Sequence, residues 1–382
     1  MVDAALDQIK ALAATADEST RHSIMASLHK LAYSLELPDE TVHRYGCLPL
    51  QTTIIEVGFN LGLFKLLVKS AGPLTVDEVA QKTGAEVLLA GRLLRYLASI
   101  GAVDEDSKRR YAANALTENL ADKVAEPGIR HYLYTCVPQY LAIPEHLKKN
   151  GYKSPTDELH TVFQDAYKTD KHAYAWFGDN PANLAYFNDF MALRRESDLS
   201  WLSVYPVEAA TEGWPAEAPV YVNIGGSIGH QCAQFKAVHP NVPGRVILQD
   251  LPHSIAQALP TPKVENMVHN FWNPQPVHGA KFYFMRGVLH NHPDLKVQTL
   301  LELTKAAMTA DSVLLIDEMI LPETGVNVDT TSMDLTMLAA FASGERTEAQ
   351  WRRLIEAAGL KLIKTYVYNG GSYESVMDVR LP

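Results

Sequence analysis

VYVNIGGSIGHQCAQF, residues 220–235, reads as a buried strand of branched and aromatic residues that runs into a glycine-rich turn and then a helix. Glycines at Gly225, Gly226 and Gly229, with Ser227 among them, let the backbone approach a ligand closely. The place is the carboxyl edge of a sheet, where open α/β folds bind their ligands. The spacing narrows the choice of ligand. A dinucleotide fingerprint needs G-x-G-x-x-G, and counting from Gly225 puts Ser227 and His230 at its second and third glycines, which weakens a pyrophosphate reading. No Gly-Lys-Ser/Thr follows, so a Walker loop fails too. A tight turn whose glycines serve packing alone is the plain alternative. Asp250 ends the next branched run, VILQD, where a carboxylate accepts both hydroxyls of a ribose and also suits the N-cap of a helix starting near Pro252. Turn and acid together imply a ribose-bearing cofactor without a pyrophosphate.

Outward from this turn the chain falls into two unlike halves. From Ala218 onward, short runs (Val220 to Ile224, Arg245 to Leu248, Lys281 to Met285, Ser312 to Ile316) alternate with helical stretches, the pattern of a doubly wound, mostly parallel α/β sheet. Two strand-like runs around Asn369-Gly370-Gly371-Ser372 predict a hairpin that closes the sheet with an antiparallel edge. Up to about Trp201 the periodicity is helical instead: Ala5, Ile9 and Leu12, then Ile24, Leu28, Leu31 and Leu35, then a single apolar helix over 54–69 stopped by Gly72-Pro73. Thr75-Val76-Asp77-Glu78 is a capping-box start for a short helix ending at Gly84. With a helix over 87–100 and a charged turn over 104–110 it makes a winged-helix pattern.

Composition limits what such a module does. Of 382 residues 47% are hydrophobic, and 34 Lys plus Arg against 44 Asp plus Glu give a net charge of −10, which argues against a general binder of nucleic acid or of anionic membranes. The second helix of the winged pattern carries only Arg92 and Arg95 as cations, too few for DNA docking, so a winged-helix DNA-binding or scaffold protein is the remote reading. Cys47, Cys136 and Cys232 are odd in number and far apart, without a C-x-x-C, so neither a disulfide scaffold nor a structural zinc site is expected, and no metal is invoked. No apolar run reaches the roughly 18 residues of a membrane span, and the acidic N-terminus has no signal-peptide core. A cytoplasmic protein is expected.

The strings VNIGGSIGH, LQDLP, HNFWNPQP, FYFMRGVLHNHPD, LLIDEMILPE and SGERTEAQW, in this order, resemble the motifs of the caffeate-type, class I S-adenosylmethionine-dependent O-methyltransferases, notably the fungal members. The resemblance covers nearly the whole chain. It implies a winged-helix dimerisation domain over 1–115, a helical substrate-cavity segment over 116–205 and a Rossmann-like S-adenosylmethionine-binding domain over 206–382, in a homodimer. By it, Gly225, Gly226, Ser227 and Gly229 cradle the methionyl part of the cofactor, Asp250 with Leu251 beside it holds the ribose, and Asn270 and Phe271 line the adenine. Arg286 stands where the family usually has Lys or Arg. Phe187 and Met191, in FNDFM, resemble the family's F-N-x-x-M substrate wall. Methyl transfer is an in-line displacement that needs an acceptor oxygen positioned and deprotonated. His290 occupies the family's base position, and Glu318 and Glu345 match its flanking acids. As plain alternatives, Glu318 is a solvated strand-end acid and Glu345 a helix N-terminal acid.

The chain departs from the family in one direction. Asn223, Asn270 and Asn291-His292 replace the usual Asp, Asp and Asp-Trp, each exchange losing a negative charge. The change at Asn291 falls in the substrate pocket, next to the base position. The chain also resembles the fungal methyltransferase-fold pericyclases. These dehydrate polyketide-derived 2-pyridone alcohols and steer a hetero-Diels–Alder or Alder-ene cyclisation, keeping the sulfonium cofactor without spending its methyl. For that chemistry His131 (GIRHYLY), Arg195 (ALRRESD) and Asp294 (HNHPD) are the candidate acid-base and oxygen-binding groups, provided that they converge in one cavity. Each has a structural alternative: a satisfied core histidine, a solvated arginine, a helix cap. The sequence leans to a pericyclase, with an O-methyltransferase acting on a phenolic or polyketide hydroxyl as the other reading.

Overall fold

The computed structural model describes residues 2–194 and 200–382, so Arg195 lies outside the described residues. The chain divides into two compact units, Met1–Leu141 with Tyr174–Ser197, and Ala142–Ala173 with Asp198–Pro382.

The first unit is helical with a small wing. Helices Val2–Ala14 and Glu18–Ser34 bury none of their residues. The expected single helix over 54–69 is instead the end of a longer helix, Pro38–Asn60, followed after a break by Leu63–Lys69. The cause is Gly62, whose left-handed φ of 62° turns the chain through a bend of 64° and lays the Phe64 ring against Gly58. The capping box is present: Thr75 Oγ1 accepts from the Glu78 N–H at 3.2 Å, the Glu78 carboxylate accepts from the Thr75 N–H at 2.7 Å, and Gly84 ends helix Val76–Thr83 in the left-handed region. Strands β1 (Leu74–Thr75), β2 (Asp104–Ser107) and β3 (Arg110–Ala112) form an antiparallel wing in the order β1-β3-β2 beside helix Val87–Ser99. Leu63, Phe64, Leu67, Val76, Leu94, Leu97 and Tyr111 fill its core.

The second unit is the doubly wound sheet. Its strands are β4 (Pro219–Ile224), β5 (Arg245–Asp250), β6 (Val264–Val268), β7 (Phe282–Arg286), β8 (Val313–Leu321), β9 (Arg346–Thr347), β10 (Lys361–Asn369) and β11 (Glu374–Arg380). They lie in the order β10-β11-β8-β7-β4-β5-β6, with β9 pairing the end of β8. The path from β6 to β8 is parallel, and the predicted hairpin β10-β11 adds the antiparallel edge. Side chains alternate between the faces. Phe282 and Phe284 of β7 pack with Trp201, Tyr221 and Phe235 on one face, whereas Tyr283 and Met285 pack with Leu300, Trp351 and Ile355 on the other. Because β4 is flanked by β5 on one side and β7 on the other, the chain winds away from it in both directions, which makes the carboxyl ends of β4 and β7 the switch point where such folds bind ligands. Among the described residues no single helix is long and apolar enough to cross a membrane.

Candidate active site

The switch point carries the turn that follows β4. Gly225 and Gly229 have φ of 65° and 96°, and Ser227, at 55°, is held in the same region without being a glycine. A Cβ on Gly226 would lie 2.4 Å from Asn223 Nδ2 and 2.5 Å from Leu248 Cδ1, so the turn presses directly onto the ends of β4 and β5. Asp250 secures it: one carboxylate oxygen accepts from the Ser227 N–H and the other from the Leu251 N–H, each at 2.7 Å. A carboxylate offers about four acceptor sites, so two remain for a diol. Phe271 lies beside the turn, 3.5 Å from the position of a Gly225 Cβ, in edge contact with Trp272 (5.1 Å between centroids). The Asn270 carboxamide caps the same loop by accepting from the Trp272 N–H at 3.1 Å.

A second group of residues hangs from the ends of β7 and β8. The His290 Nδ1 meets Glu345 Oε1 at 2.8 Å, with Glu345 almost fully buried. Glu318 accepts from the backbone N–H groups of Leu289 (2.9 Å) and His290 (3.3 Å), which fixes the loop carrying the imidazole. One ring nitrogen of His290 and one carboxylate oxygen each of Glu318 and Glu345 lie within 4.8 Å of one another. Burial opposes the imidazolium, but the carboxylates of Glu318 and Glu345 outweigh it and raise the His290 pKa to about 9, while burial pushes Glu318 up. His290 is therefore a cation at neutral pH.

Several supports here had little sequence signal. Asp334, inside helix Val328–Phe341, accepts from the Glu345 N–H at 2.8 Å and occupies the space that a side chain at Gly344 would need. Arg346 is buried; it donates to Asp294 at 2.8 Å and to the His292 carbonyl at 2.9 Å, and stacks over Trp351. Glu158, in the 142–173 stretch, pairs with Lys296 and lies 3.5 Å from His292 Nδ1; burial would raise its pKa, but His292 and Lys296 hold it down at about 2. Only Arg346 stood within a quoted motif, SGERTEAQW.

Other candidates are dispersed. Asn291 donates to the Gly287 carbonyl at 2.9 Å, bracing the loop before His290. Asp294 is the first residue of helix Asp294–Lys305 and the partner of Arg346. Arg286 lies on the opposite sheet face from Glu318, 3.6 Å from Asp317 and 3.4 Å from Glu374. In the other unit, His131 ends helix Ala125–His131, and its ring packs 5.4 Å from Phe187, which stacks on Phe177. Burial pulls the His131 pKa down to about 4. Met191 lies on the same helix as Phe187, Pro181–Arg194.

A doubly wound sheet with a glycine-rich turn at its switch point, secured by a carboxylate at the end of the next strand, is the architecture of a nucleotide-binding α/β fold. Residues 200–361 match the O-methyltransferase domain, and residues 51–123 match the O-methyltransferase dimerisation domain. O-methyltransferase ucdC of Aspergillus ustus is 39% identical over 365 residues, which span 96% of this chain and 95% of that protein. A LepI variant solved in complex with SAH and substrate analogue matches with a TM-score of 0.92 at 37% identity, covering 100% of this chain and 99% of that one. A structure described as "A Pericyclic Reaction enzyme" matches with the same score, identity and coverage. The chain belongs to the O-methyltransferase family. It is an enzyme of the S-adenosylmethionine-dependent methyltransferase fold, whose cofactor is S-adenosylmethionine. The open acceptor sites of Asp250, the close-approach glycines and the Phe271 wall fit that group.

A raised histidine pKa links charge to stability. The favourable imidazolium pairing is fully present below about pH 6.5 and is lost as pH rises through about 9. Denaturant midpoints of the native protein and His290→Gln should therefore differ most near pH 6.5 and draw together above about 9; a gap that widens with rising pH contradicts the assignment.

Proposed function

We propose that this enzyme binds S-adenosylmethionine and catalyses dehydration and stereoselective pericyclic cyclisation, hetero-Diels–Alder or Alder-ene, of a polyketide-derived 2-pyridone alcohol. The observation that carries this reading is the pairing of His290 Nδ1 with Glu345 at 2.8 Å beside Glu318, which favours the imidazolium. Paired with Glu345 and Glu318, it holds its proton up to about pH 9 and so enters the reaction as a donor, which loss of a hydroxyl as water requires. Nδ1 is taken by Glu345, so the Nε2–H makes the donation. When bound, the cofactor supplies a fixed positive charge that stabilises electron density on a substrate carbonyl. Asp250 and the turn over 225–229 hold its ribose and methionyl parts, Asn270 and Phe271 line the adenine, and Arg286 completes the binding set from the end of β7. Asp294 anchors Arg346, and with it the carbonyls of the loop bearing His290 and Asn291. Phe187 and Met191 wall the substrate, and His131, neutral at working pH, hydrogen-bonds a pyridone oxygen. For Arg195, outside the described residues, we propose the same oxygen-binding role. The match to the pericyclic reaction enzyme along the full chain supports the reading.

A second reading has its own support. His290, Glu318 and Glu345 form the complete set expected for methyl transfer to a phenolic or polyketide hydroxyl, with His290 as base, and the ucdC relative is described as an O-methyltransferase. In that reading the acceptor hydroxyl must find the minor, neutral imidazole, which Glu345 and Glu318 disfavour below about pH 9.

We also propose a homodimer with no nucleic-acid or membrane partner. Helices Val2–Ala14 and Glu18–Ser34 leave Leu6, Leu12, Met25 and Leu31 exposed, apolar surface that a second copy would cover.

Incubation with S-adenosylmethionine and a 2-pyridone alcohol separates the two chemistries. The expected result is a dehydrated, cyclised product with the sulfur-bound methyl intact, and a product heavier by one methyl with demethylated cofactor supports the second reading instead. Sedimentation of the full chain at micromolar concentration should give the mass of two copies, and a monomer overturns the dimer.

A further inference from the structure

A buried neutral histidine carries its proton on whichever nitrogen its neighbour leaves free. His131 ends helix Ala125–His131, and the next five residues, Tyr132–Cys136, form a π-helical turn closed by the Val137 N–H donating to the Tyr132 carbonyl. In a regular α-helix residues five apart lie about 140° apart around the axis. The wider turn swings them toward one side, and Cys136 Sγ comes within 3.6 Å of His131 Nε2. Cys136 is buried, and burial pushes its thiol up to about 12, so the sulfur keeps its proton at neutral pH. Tyr140, one turn further along, hydrogen-bonds the same sulfur and lowers the thiol pKa in part, as a hydroxyl donating to sulfur would. That leaves the S–H for the ring. The other nitrogen, Nδ1, is buried without a hydrogen-bond partner among the described residues, in a ring flanked by Tyr132, Phe187 and Phe190. A buried polar nitrogen left unpaired costs stability, and one facing an aromatic wall is explained if a ligand oxygen completes it.

We propose that Cys136 is a positioning residue: by donating its S–H to His131 Nε2 it fixes the imidazole as the Nδ1–H tautomer and makes that N–H a hydrogen-bond donor to a substrate oxygen. No proton changes hands, and the thiol is neither oxidised nor alkylated. The π-helical turn is the part of the fold that makes the pair, since closing the same stretch as α-helix would carry the sulfur off the ring. The proposal deepens the reading of His131 as an oxygen-binding group and rests on it.

The test reads the tautomer directly, in the full-length protein labelled with ¹⁵N-histidine, by long-range proton–nitrogen correlation. His131→Gln identifies the resonances of His131 by their disappearance. The expected pattern is a protonated, pyrrole-type Nδ1 and an unprotonated Nε2 in the native protein, replaced in Cys136→Ala and Cys136→Val by a mixture or by the opposite tautomer. Having two donor-free variants keeps the readout available should one of them fail to fold. A protonated Nε2 in the native protein, or an unchanged tautomer in either variant, overturns the proposal. With S-adenosylmethionine and a 2-pyridone alcohol, turnover of the folded variant should fall about tenfold, the worth of one good hydrogen bond, with a smaller change in KM. A shifted tautomer with unaltered turnover overturns the donor role. The nitrogen spectrum needs no substrate, so loss of the cofactor's methyl during turnover would refute the pericyclic reading and leave the tautomer result standing.

Discussion

A hydrogen bond of 2.7 Å from the Ser227 N–H to Asp250 ties the turn after β4 to the end of β5, and the Leu251 N–H orients the same carboxylate from its own strand end, also at 2.7 Å. Ser227 sits in a backbone region that costs a non-glycine residue energy, and the charge-assisted bond to Asp250 helps to hold it there. The glycines on either side leave the turn without side chains that would keep a ligand at a distance, while Asn223 and Leu248 pack beneath it so closely that even a methyl on Gly226 would collide.

Alternation along β8 then separates two electrostatic environments. Glu318 faces His290 and Glu345, and the group resolves as an imidazolium between carboxylates. Its neighbour Asp317 points to the other face, where burial pushes its pKa up to about 7 against the pull of Arg286 and a 2.8 Å bond from the Tyr368 hydroxyl. One residue step along a strand thus divides the His290 group from a second buried network around Asp317. In the helical unit the logic is reversed: among the described residues no carboxylate pairs with the His131 ring, and burial pulls its pKa down to about 4. The two histidines are thus shifted in opposite directions, His290 upward by its carboxylate partners and His131 downward by burial.

Much of this was legible in the sequence wherever a local rule decides structure. The glycine turn, Asp250 and the closing hairpin follow from turn chemistry and strand patterning, and the capping box at Thr75 and Glu78 was read residue for residue. The strand β6 was not, because Val264–Val268 is an edge segment with a half-exposed, polar-interrupted sequence that carries no buried-strand signal. The break at Gly62 was hidden inside a continuous apolar run, and a left-handed glycine in such a run shows only once Phe64 has found its place against Gly58. In the site, residues bearing familiar motifs were readable, including His290, Glu318 and Glu345. Their supports Asp334 and Glu158 were not, since each acts across a long sequence separation through a contact that only the fold creates. Arg195 falls outside the described residues, and the expected convergence of His131, Arg195 and Asp294 stays a proposal.

Whether the Asp250-tied turn receives the nucleoside of S-adenosylmethionine is decided by calorimetric titration of the full chain with S-adenosylhomocysteine. Saturable one-to-one binding by the native protein is predicted, weakened at least about tenfold in Asp250→Ala through loss of its charge-assisted hydrogen bonds. Absence of binding by the native protein, or equal affinity in the folded variant, would contradict it.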